Sequence, residues 1–263
     1  MDTILALVPA RAGSKRLAGK NLRELAGLSL IGWTARTARA AGIRNIMLST
    51  DDPSIAEEGR RQGLSVPFLR PAELSGDDVP TLPVILHALD WHRAAQGQDP
   101  DAVMLLQPTS PFRSTALIAD GLDQFRKRVG ADSLVAVKPL HVRSNAVFTT
   151  DAGFLRPLAP NTPEATAYIP SGALYIASTA TVRHNRTLVT ATCLALVHEG
   201  LSALDVDDEY DWLVAEAAVA CFIQFCDEML RAHQQKLQKV ARSTQGQEQL
   251  EEAVQSCLTG ATD

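Results

Sequence analysis

Short, wholly apolar runs alternate along this chain with longer stretches in which apolar positions recur every three or four residues. Thr3 to Val8 (TILALV) is the first run, a strand with no polar face, as expected when both sides are covered. Ser29 to Gly42 carries Leu30, Ile31, Trp33, Thr34, Ala38 and Ala41 at helical spacing and ends on glycine. Asn45 to Ser49 reads as a second strand. Asp52-Pro53 then opens a helix that runs to about Gly63, with a capping carboxylate followed by proline at the first helical position. Pro67 to Pro71 (PFLRP) is an extended connector, Val79 to Ala95 a helix, and Asp101 to Leu106 a third buried strand. A helix over Thr115 to Arg128 and a strand over Ser133 to Lys138 complete a βαβα series. That series predicts right-handed crossovers and an α/β fold with a mostly parallel, Rossmann-like sheet flanked by helices.

The texture changes after Pro139. His141 to Pro170 holds four prolines and no long periodic run, and reads as short strands and loops forming an arm outside the main sheet. Ser171 to Ile176 and Cys193 to His198 are further strands. Ala203 to Val206 leads into the acidic group Asp205, Asp207, Asp208, Glu209 and Asp211, and a long helix follows to about Arg242. A polar break, Ser243 to Gly246, precedes a last short helix.

Composition narrows the function classes. With 263 residues, 46% apolar and 21% charged, the chain fits one large α/β domain with appendages. A net charge of −5 argues against a general nucleic-acid surface. Cys193, Cys221, Cys226 and Cys257 lack zinc or C-x-x-C spacing and sit among apolar residues, which predicts buried thiols in a reducing cytoplasm. The N-terminal run becomes charged at Arg11 and is neither a signal peptide nor a membrane span. The six histidines form no metal-ligating pattern, and structural or surface roles are expected for them.

Against that acidic average, the stretch LVPARAGSKRLAGKN from Leu7 to Asn21 gathers Arg11, Gly13, Ser14, Lys15, Arg16, Gly19 and Lys20. Two glycines let the backbone approach a ligand while main-chain N–H groups and cations face one anion, so the loop suits phosphates. Neither the Walker nor the G-x-G-x-x-G spacing is present, and a solvated basic turn is the plainer alternative. In an open α/β sheet, ligands bind beyond the carboxyl ends of the strands. That rim would collect this loop, Thr50 and Asp51, Gln107 to Ser110, and the acidic cluster. Asp205 and Asp207, two apart on a strand, would face one side and share a hard cation. Alternatively the acidic run only caps the following helix. Gln107-Pro108-Thr109-Ser110-Pro111 presents an amide and two hydroxyls on a stiffened backbone, suited to a polyhydroxylated ligand, or merely ends a strand. Cations for phosphates and carboxylates for Mg²⁺ on one rim are the equipment of nucleotidyl transfer.

These stretches together resemble the acylneuraminate cytidylyltransferases, or CMP-nonulosonic acid synthetases. The match rests on PARAGSKRLAGKN (9–21), STDD (49–52), PFLRP (67–71), LLQPTSPFR (105–113), SGALYI (171–176) and LDVDDEYDW (204–212), in the family's order over about residues 3–220. The resemblance implies a nucleotide-diphospho-sugar transferase fold over 1–225, with a dimerisation arm at 139–170, and leaves a helical tail of unknown role at 226–263. It implies transfer of CMP from CTP to a nine-carbon 2-keto-3-deoxy sugar acid, with Mg²⁺ as cofactor and Mn²⁺ able to substitute. Arg11, Gly13, Ser14, Lys15 and Lys20 would bind the triphosphate, and Asn21, Arg70 and Thr81 would lie around the cytidine. Gln107, Thr109, Ser110, Tyr168 and Ser171 would face the sugar, while Asp205 and Asp207 would hold the metal. Arg11, Lys20, Asp205 and Asp207 would carry catalysis. A cytoplasmic homodimer is implied, with no nucleic acid or membrane partner. Transfer to another 2-keto-3-deoxy sugar acid, or a non-catalytic nucleotide-binding homologue, are the alternatives. Ile169-Pro170-Ser171-Gly172 departs from the family's Arg-x-Asn-Gly, and Asn161-Thr162-Pro163-Glu164 stands where an Arg-Arg-Gln type of run is expected. These departures widen the sugar to legionaminic and pseudaminic acids beside N-acetylneuraminic acid.

Overall fold

The computed structural model describes residues 3–140, 148–151, 154–157 and 167–242. The chain divides into two compact units, Met1–Ala215 and Glu216–Asp263.

In the first unit a six-stranded sheet has the order β10-β6-β9-β5-β1-β4. Strand β1 (Ile4–Pro9) lies between β4 (Ile46–Ser49) and β5 (Ala102–Leu105), parallel to both. On the far side β6 (Ser133–Leu140) pairs in parallel with β10 (Cys193–Val197). Between β5 and β6 runs β9 (Ala167–Ser178), antiparallel to both. The expected strand at Ser171–Ile176 is thus the middle of a strand of twelve residues. Both ends of the expected arm lie in the main sheet, where Pro139–Leu140 pair with Ala167–Tyr168 and the adjoining Val137–Lys138 pair with Ile169–Pro170. What the structure describes of the arm itself is a hairpin of β7 (Phe148–Asp151) and β8 (Phe154–Pro157); the rest of 141–166 lies outside the described residues. A two-residue ladder, β2 (Glu24–Leu25) with β3 (Leu28–Ser29), leads into α1.

Strand alternation explains the two-sided core. Ala6 and Val8 point into one apolar cluster with Ile31, Ala35, Leu117 and Ile118 of helices α1 (Leu30–Ala40) and α4 (Thr115–Lys127). Leu5 and Leu7 point into the other, with Ile85 and Leu89 of α3 (Thr81–Gln96) and Val182 of α5 (Thr179–Asn185). Each fully buried leucine or isoleucine contributes about 1.5–3 kcal/mol, so β1 is the mechanical centre of the fold. Helix α2 (Pro53–Arg61) starts as its sequence predicts, with the Asp52 carboxylate accepting from the N–H groups of Ser54 (2.7 Å) and Ile55 (2.9 Å).

One irregularity bears on function. Between the pairs Val135–Tyr175 and Val137–Pro170, a single β6 residue stands opposite Ser171, Gly172, Ala173 and Leu174 of β9. Gly172 takes a positive φ of 77° there. The bulge turns β9 backbone carbonyls towards the loop after β5, as bulges beside functional sites commonly re-aim a chain.

Helix α6 (Glu209–Arg242) is the single long helix the periodicity predicts. In the second unit, its Phe222, Ile223, Phe225, Met229 and Leu230 are exposed. Cys221 is exposed too, and Cys193 and Cys226 are half-buried. The expectation of buried thiols therefore fails for these three: α6 leaves most of its apolar side chains accessible around Cys221 and Cys226, and Cys193 opens the edge strand β10; Cys257 lies outside the described residues. Among the described residues no helix is long and apolar enough to cross a membrane.

Candidate active site

Where β1, β4 and β5 end, the chain builds one continuous cleft from its breaks. The basic loop leaves β1 at Ala10, whose N–H is held by the Ser49 carbonyl (3.0 Å). Leu17 buries completely beneath the loop, and Gly19 (φ 64°) reverses the chain so that the N–H groups of Leu22 and Arg23 close onto its carbonyl. The Asn21 side chain, itself buried, donates to the Arg11 carbonyl (3.1 Å) and ties the loop's two ends together. Ala12 N–H is accepted by Asp51 after β4 (3.2 Å).

A cavity of about 300 Å³ is lined by Arg11, Ser14, Lys15, Arg16, Lys20 and Asn21, with Asp77 and Asp207. A second, of about 270 Å³, shares Arg11, Lys20, Asn21 and Asp207 with it and reaches Arg70, Thr81, Gln107, Thr109 and Asp205. The structure thus brings eleven predicted site residues from distant parts of the chain into the walls of the two adjoining cavities: Arg11, Ser14, Lys15, Lys20, Asn21, Arg70, Thr81, Gln107, Thr109, Asp205 and Asp207. Gly13 does not line either cavity; its Cα lies close beside the Arg11 guanidinium, where a Cβ would come within 3.1 Å of a guanidinium nitrogen.

The electrostatics of this cleft are unbalanced in two places. Arg70 is buried, with Asp51 at 3.6 Å, and its Nε and one terminal nitrogen have no hydrogen-bond partner. Burial lowers its pKa and Asp51 opposes that. A buried guanidinium with free donors needs an acceptor from a ligand. Asp205 is its counterpart of opposite sign. Its Oδ1 is buried without a partner, and burial raises its pKa, opposed by a hydrogen bond from Thr109 and reinforced by the Asp207 charge. Asp207 sits at the more open end, where Lys20 (2.9 Å) and Arg16 (2.7 Å) hold it. Burial works against its charge, but Lys20 and Arg16 outweigh it and leave the pKa lowered.

The two readings of the acidic run separate by residue. Asp208 accepts from Asp211 N–H, while Asp211 accepts from the N–H groups of Asp207 and Asp208, a reciprocal cap at the start of α6. Glu209 pairs with Arg23, whose guanidinium lies 4.3 Å from the centre of the buried Trp212 ring. Asp205 and Asp207 take no part in the cap through their carboxylates. They do not lie on a strand as expected; the segment is extended without a ladder, anchored by Val206 N–H on the Thr109 carbonyl (2.7 Å). Val206 is fully buried, so its neighbours on either side still face the cleft together.

On the expected sugar side the residues divide. Gln107 and Thr109 face the cleft. Ser110 and Ser171 are buried: Ser110 Oγ donates to the Ser171 carbonyl (3.3 Å), and Ser171 Oγ donates to the Ala136 carbonyl (3.1 Å) and contacts His198 Nε2 (2.6 Å). These two hydroxyls shape the floor. Tyr168 is exposed on β9 opposite Pro139 and lines neither cavity.

Sequence reasoning missed the residue beneath all of this. Arg113 is buried, and its guanidinium donates to the Ala173 and Gln107 carbonyls, with Thr34 Oγ1 at 3.5 Å. Burial pushes its pKa down to about 9, opposed by Asp205, so it stays charged at neutral pH. Its only sequence signal is a cation directly before a helix-capping serine at the end of an apolar-proline stretch.

A family model described as cytidylyltransferase matches residues 5–152, more than half of the chain. The chain belongs to the cytidylyltransferase family. It is 34% identical over 224 residues to the CMP-N,N'-diacetyllegionaminic acid synthase of Legionella pneumophila, covering 81% of this chain and 94% of that protein. It is 28% identical to the N-acylneuraminate cytidylyltransferase of Escherichia coli over 81% of its own length and 51% of that protein's. A solved CMP:2-keto-3-deoxy-manno-octonic acid synthetase complexed with CTP shares the fold, with a TM-score of 0.63 over 83% of this cytidylyltransferase and 99% of that chain, at 15% identity.

Proposed function

We propose that this cytidylyltransferase moves CMP from CTP to the anomeric hydroxyl of a nonulosonic acid and releases pyrophosphate. The observation that carries the reading is the shared wall of the two cavities: Arg11, Lys20 and Asn21 stand between a cationic chamber and one containing orphaned donors on Arg70. Triphosphate fits the first and a cytosine carbonyl the second, with the α-phosphorus at Lys20. The likeness to the diacetyllegionaminate enzyme over nearly its whole length supports a sugar acid as acceptor.

The donor set fits a divalent cation. Asp205 offers a buried carboxylate oxygen without a partner, Asp207 lies two residues away on the same cleft, and hard cations of the Mg²⁺ type take one or two carboxylates plus substrate phosphates. Bound there, Mg²⁺, or Mn²⁺ in its place, would offset negative charge on the phosphates. The chain's own groups supply positioning and charge. Lys20, half enclosed and paired with Asp207, would meet negative charge growing on the α-phosphate. Arg70 would fix the base. Gln107 and Thr109 would orient the sugar so that its hydroxyl attacks in line. Tyr168 at the arm's root belongs to this reading through a homodimer, in which the 139–170 stretch of one subunit closes the sugar side of the other.

The test is pyrophosphate release from CTP and Mg²⁺ with N-acetylneuraminic, legionaminic, pseudaminic and 3-deoxy-manno-octulosonic acids. Turnover with a nine-carbon acid is expected. Silence across the panel despite CTP binding would leave a non-catalytic nucleotide-binding protein.

A further inference from the structure

Every cation of the phosphate chamber is already held by a carboxylate. Asp207 takes Arg16 and Lys20. Asp77 takes the other two, one carboxylate oxygen on an Arg11 guanidinium nitrogen and the other on Lys15 Nζ. The two acids stand differently. Asp207 lies on the extended segment fixed through Val206, and the divalent cation of the proposed reaction would give it an alternative partner. Asp77 sits in the loop between a short 3-10 turn (Ala72–Leu74) and α3, next to Gly76 and Asp78, and both of its oxygens are taken up by these two cations. Lys15 and then Arg11 draw its pKa down, so at neutral pH it is an anion. Its two oxygens bridge two cations as two oxygens of one phosphate group would.

We propose that Asp77 is a built-in phosphate surrogate that competes with the nucleotide for Arg11 and Lys15. It leaves when triphosphate enters and returns to those cations to help expel pyrophosphate. This inference rests on the chamber being the triphosphate site. A polyphosphate brings more charge than one carboxylate and wins the exchange, but each binding event must break the Asp77 pairs. The loop therefore weakens the grip on both substrate and product, which favours release of a polyanion that four cations would otherwise retain.

The test measures inorganic tripolyphosphate and pyrophosphate binding by titration calorimetry, without sugar or cytidine, for the wild type, Asp77→Asn and Asp77→Glu. Asp77→Asn is expected to bind both anions about three- to tenfold tighter, the worth of one or two exposed charge pairs. Asp77→Glu, which keeps the charge, should stay within about twofold of the wild type, a margin well inside the tenfold that 1.4 kcal/mol represents. In turnover, Asp77→Asn should lower the KM for CTP and the inhibition constant of pyrophosphate by the same factor, without raising kcat. Unchanged or weaker anion binding in Asp77→Asn overturns the proposal. If the wild type meanwhile turns over CTP normally, that result removes only the surrogate; if no variant binds either anion, the assignment of the chamber falls with it.

Discussion

Asp205→Asn should make the metal-free protein more stable while abolishing its turnover. The Asp205 carboxylate is largely buried, its Oδ1 has no partner, and the Asp207 charge stands nearby; Thr109, Lys20 and Lys138 repay only part of that cost, since the net shift of its pKa is upward. A buried polar atom left unsatisfied costs about 1–3 kcal/mol, and a charged one the upper end or more. Asparagine keeps the shape and the acceptor for Thr109 but removes the charge. The expected gain is therefore about 1–3 kcal/mol, or roughly 2–4 °C in Tm for each kcal/mol in a chain of this size.

The sign with pH follows from linkage. A carboxyl group whose folded pKa lies above its unfolded value near 3.8 binds its proton more tightly when folded. The wild type's penalty is thus absent below the unfolded value, grows as pH rises through the folded one, and is constant above it. Urea unfolding at pH 8 should show the full gain of the variant, and the gap should close on acidification. Mg²⁺ or Mn²⁺ added on top of saturating CTP should raise the Tm of the wild type further and that of Asp205→Asn much less, because the variant lacks one of the two carboxylates that would hold the ion. A variant less stable than the wild type at pH 8 in metal-free buffer would refute the reasoning. It would mean that Lys20, Lys138 and Arg113 together over-compensate the buried charge.

Three further outcomes follow from the site's floor. Arg113→Met should cost about 1–3 kcal/mol in chemical denaturation, since it leaves the Ala173 carbonyl without its buried donor and the Gln107 carbonyl with the Ser110 N–H (3.3 Å), and Arg113→Lys should recover only part because an ammonium cannot fork to both. Gly172→Ala should lose about 1–2 kcal/mol from its positive φ, and its Cβ, 2.5 Å from Gln107 Oε1, should raise the KM for the sugar acid more than that for CTP. His198 has its pKa lowered by burial, then by Lys138 and Arg113, so its contribution to stability is complete above the ordinary value near 6.5 and is lost as pH falls through the folded value. His198→Gln should therefore flatten the fall in stability expected of the wild type as pH drops below about 6.5, the ordinary histidine value.

What could be read in the sequence followed the period of its apolar residues. β1, α1, α4 and the length of α6 announce themselves because burial on one face or both leaves a local signature. The antiparallel direction of β9 does not, since a central strand is apolar on both faces whichever way it runs. Pro170 made the strand seem to begin at Ser171, yet a proline is tolerated where the ladder is already broken, and the bulge opposite Ala136 is such a place. At the site, the cationic loop and the aspartate pair were visible as charges out of keeping with their surroundings. Asp77 was not, because SGDDVP reads as an ordinary polar loop until its partners, more than sixty residues earlier, are in view. Arg113 was hidden for the opposite reason: a cation that donates to backbone carbonyls and a threonine hydroxyl leaves no complementary acid in the sequence to betray it.

That hidden arginine explains why the floor of the cleft can be built of polar groups at all. The bulge in β9 frees carbonyls from the ladder, and the turn after β5 frees another; Arg113 satisfies the Ala173 and Gln107 carbonyls with one planar cation. Ser110 then closes on the Ser171 carbonyl, Ser171 on Ala136, and His198 spans Ser171 and Ser202. The two strands are thereby locked around the turn that carries Gln107 and Thr109. The same cation sits close enough to Asp205 to be felt by it without bonding to it. A direct ion pair would have cancelled the carboxylate and removed it from chemistry. Spending the guanidinium on backbone carbonyls instead leaves the Asp205 Oδ1 without a partner and facing the cleft, which is the condition for a cation to be worth binding there.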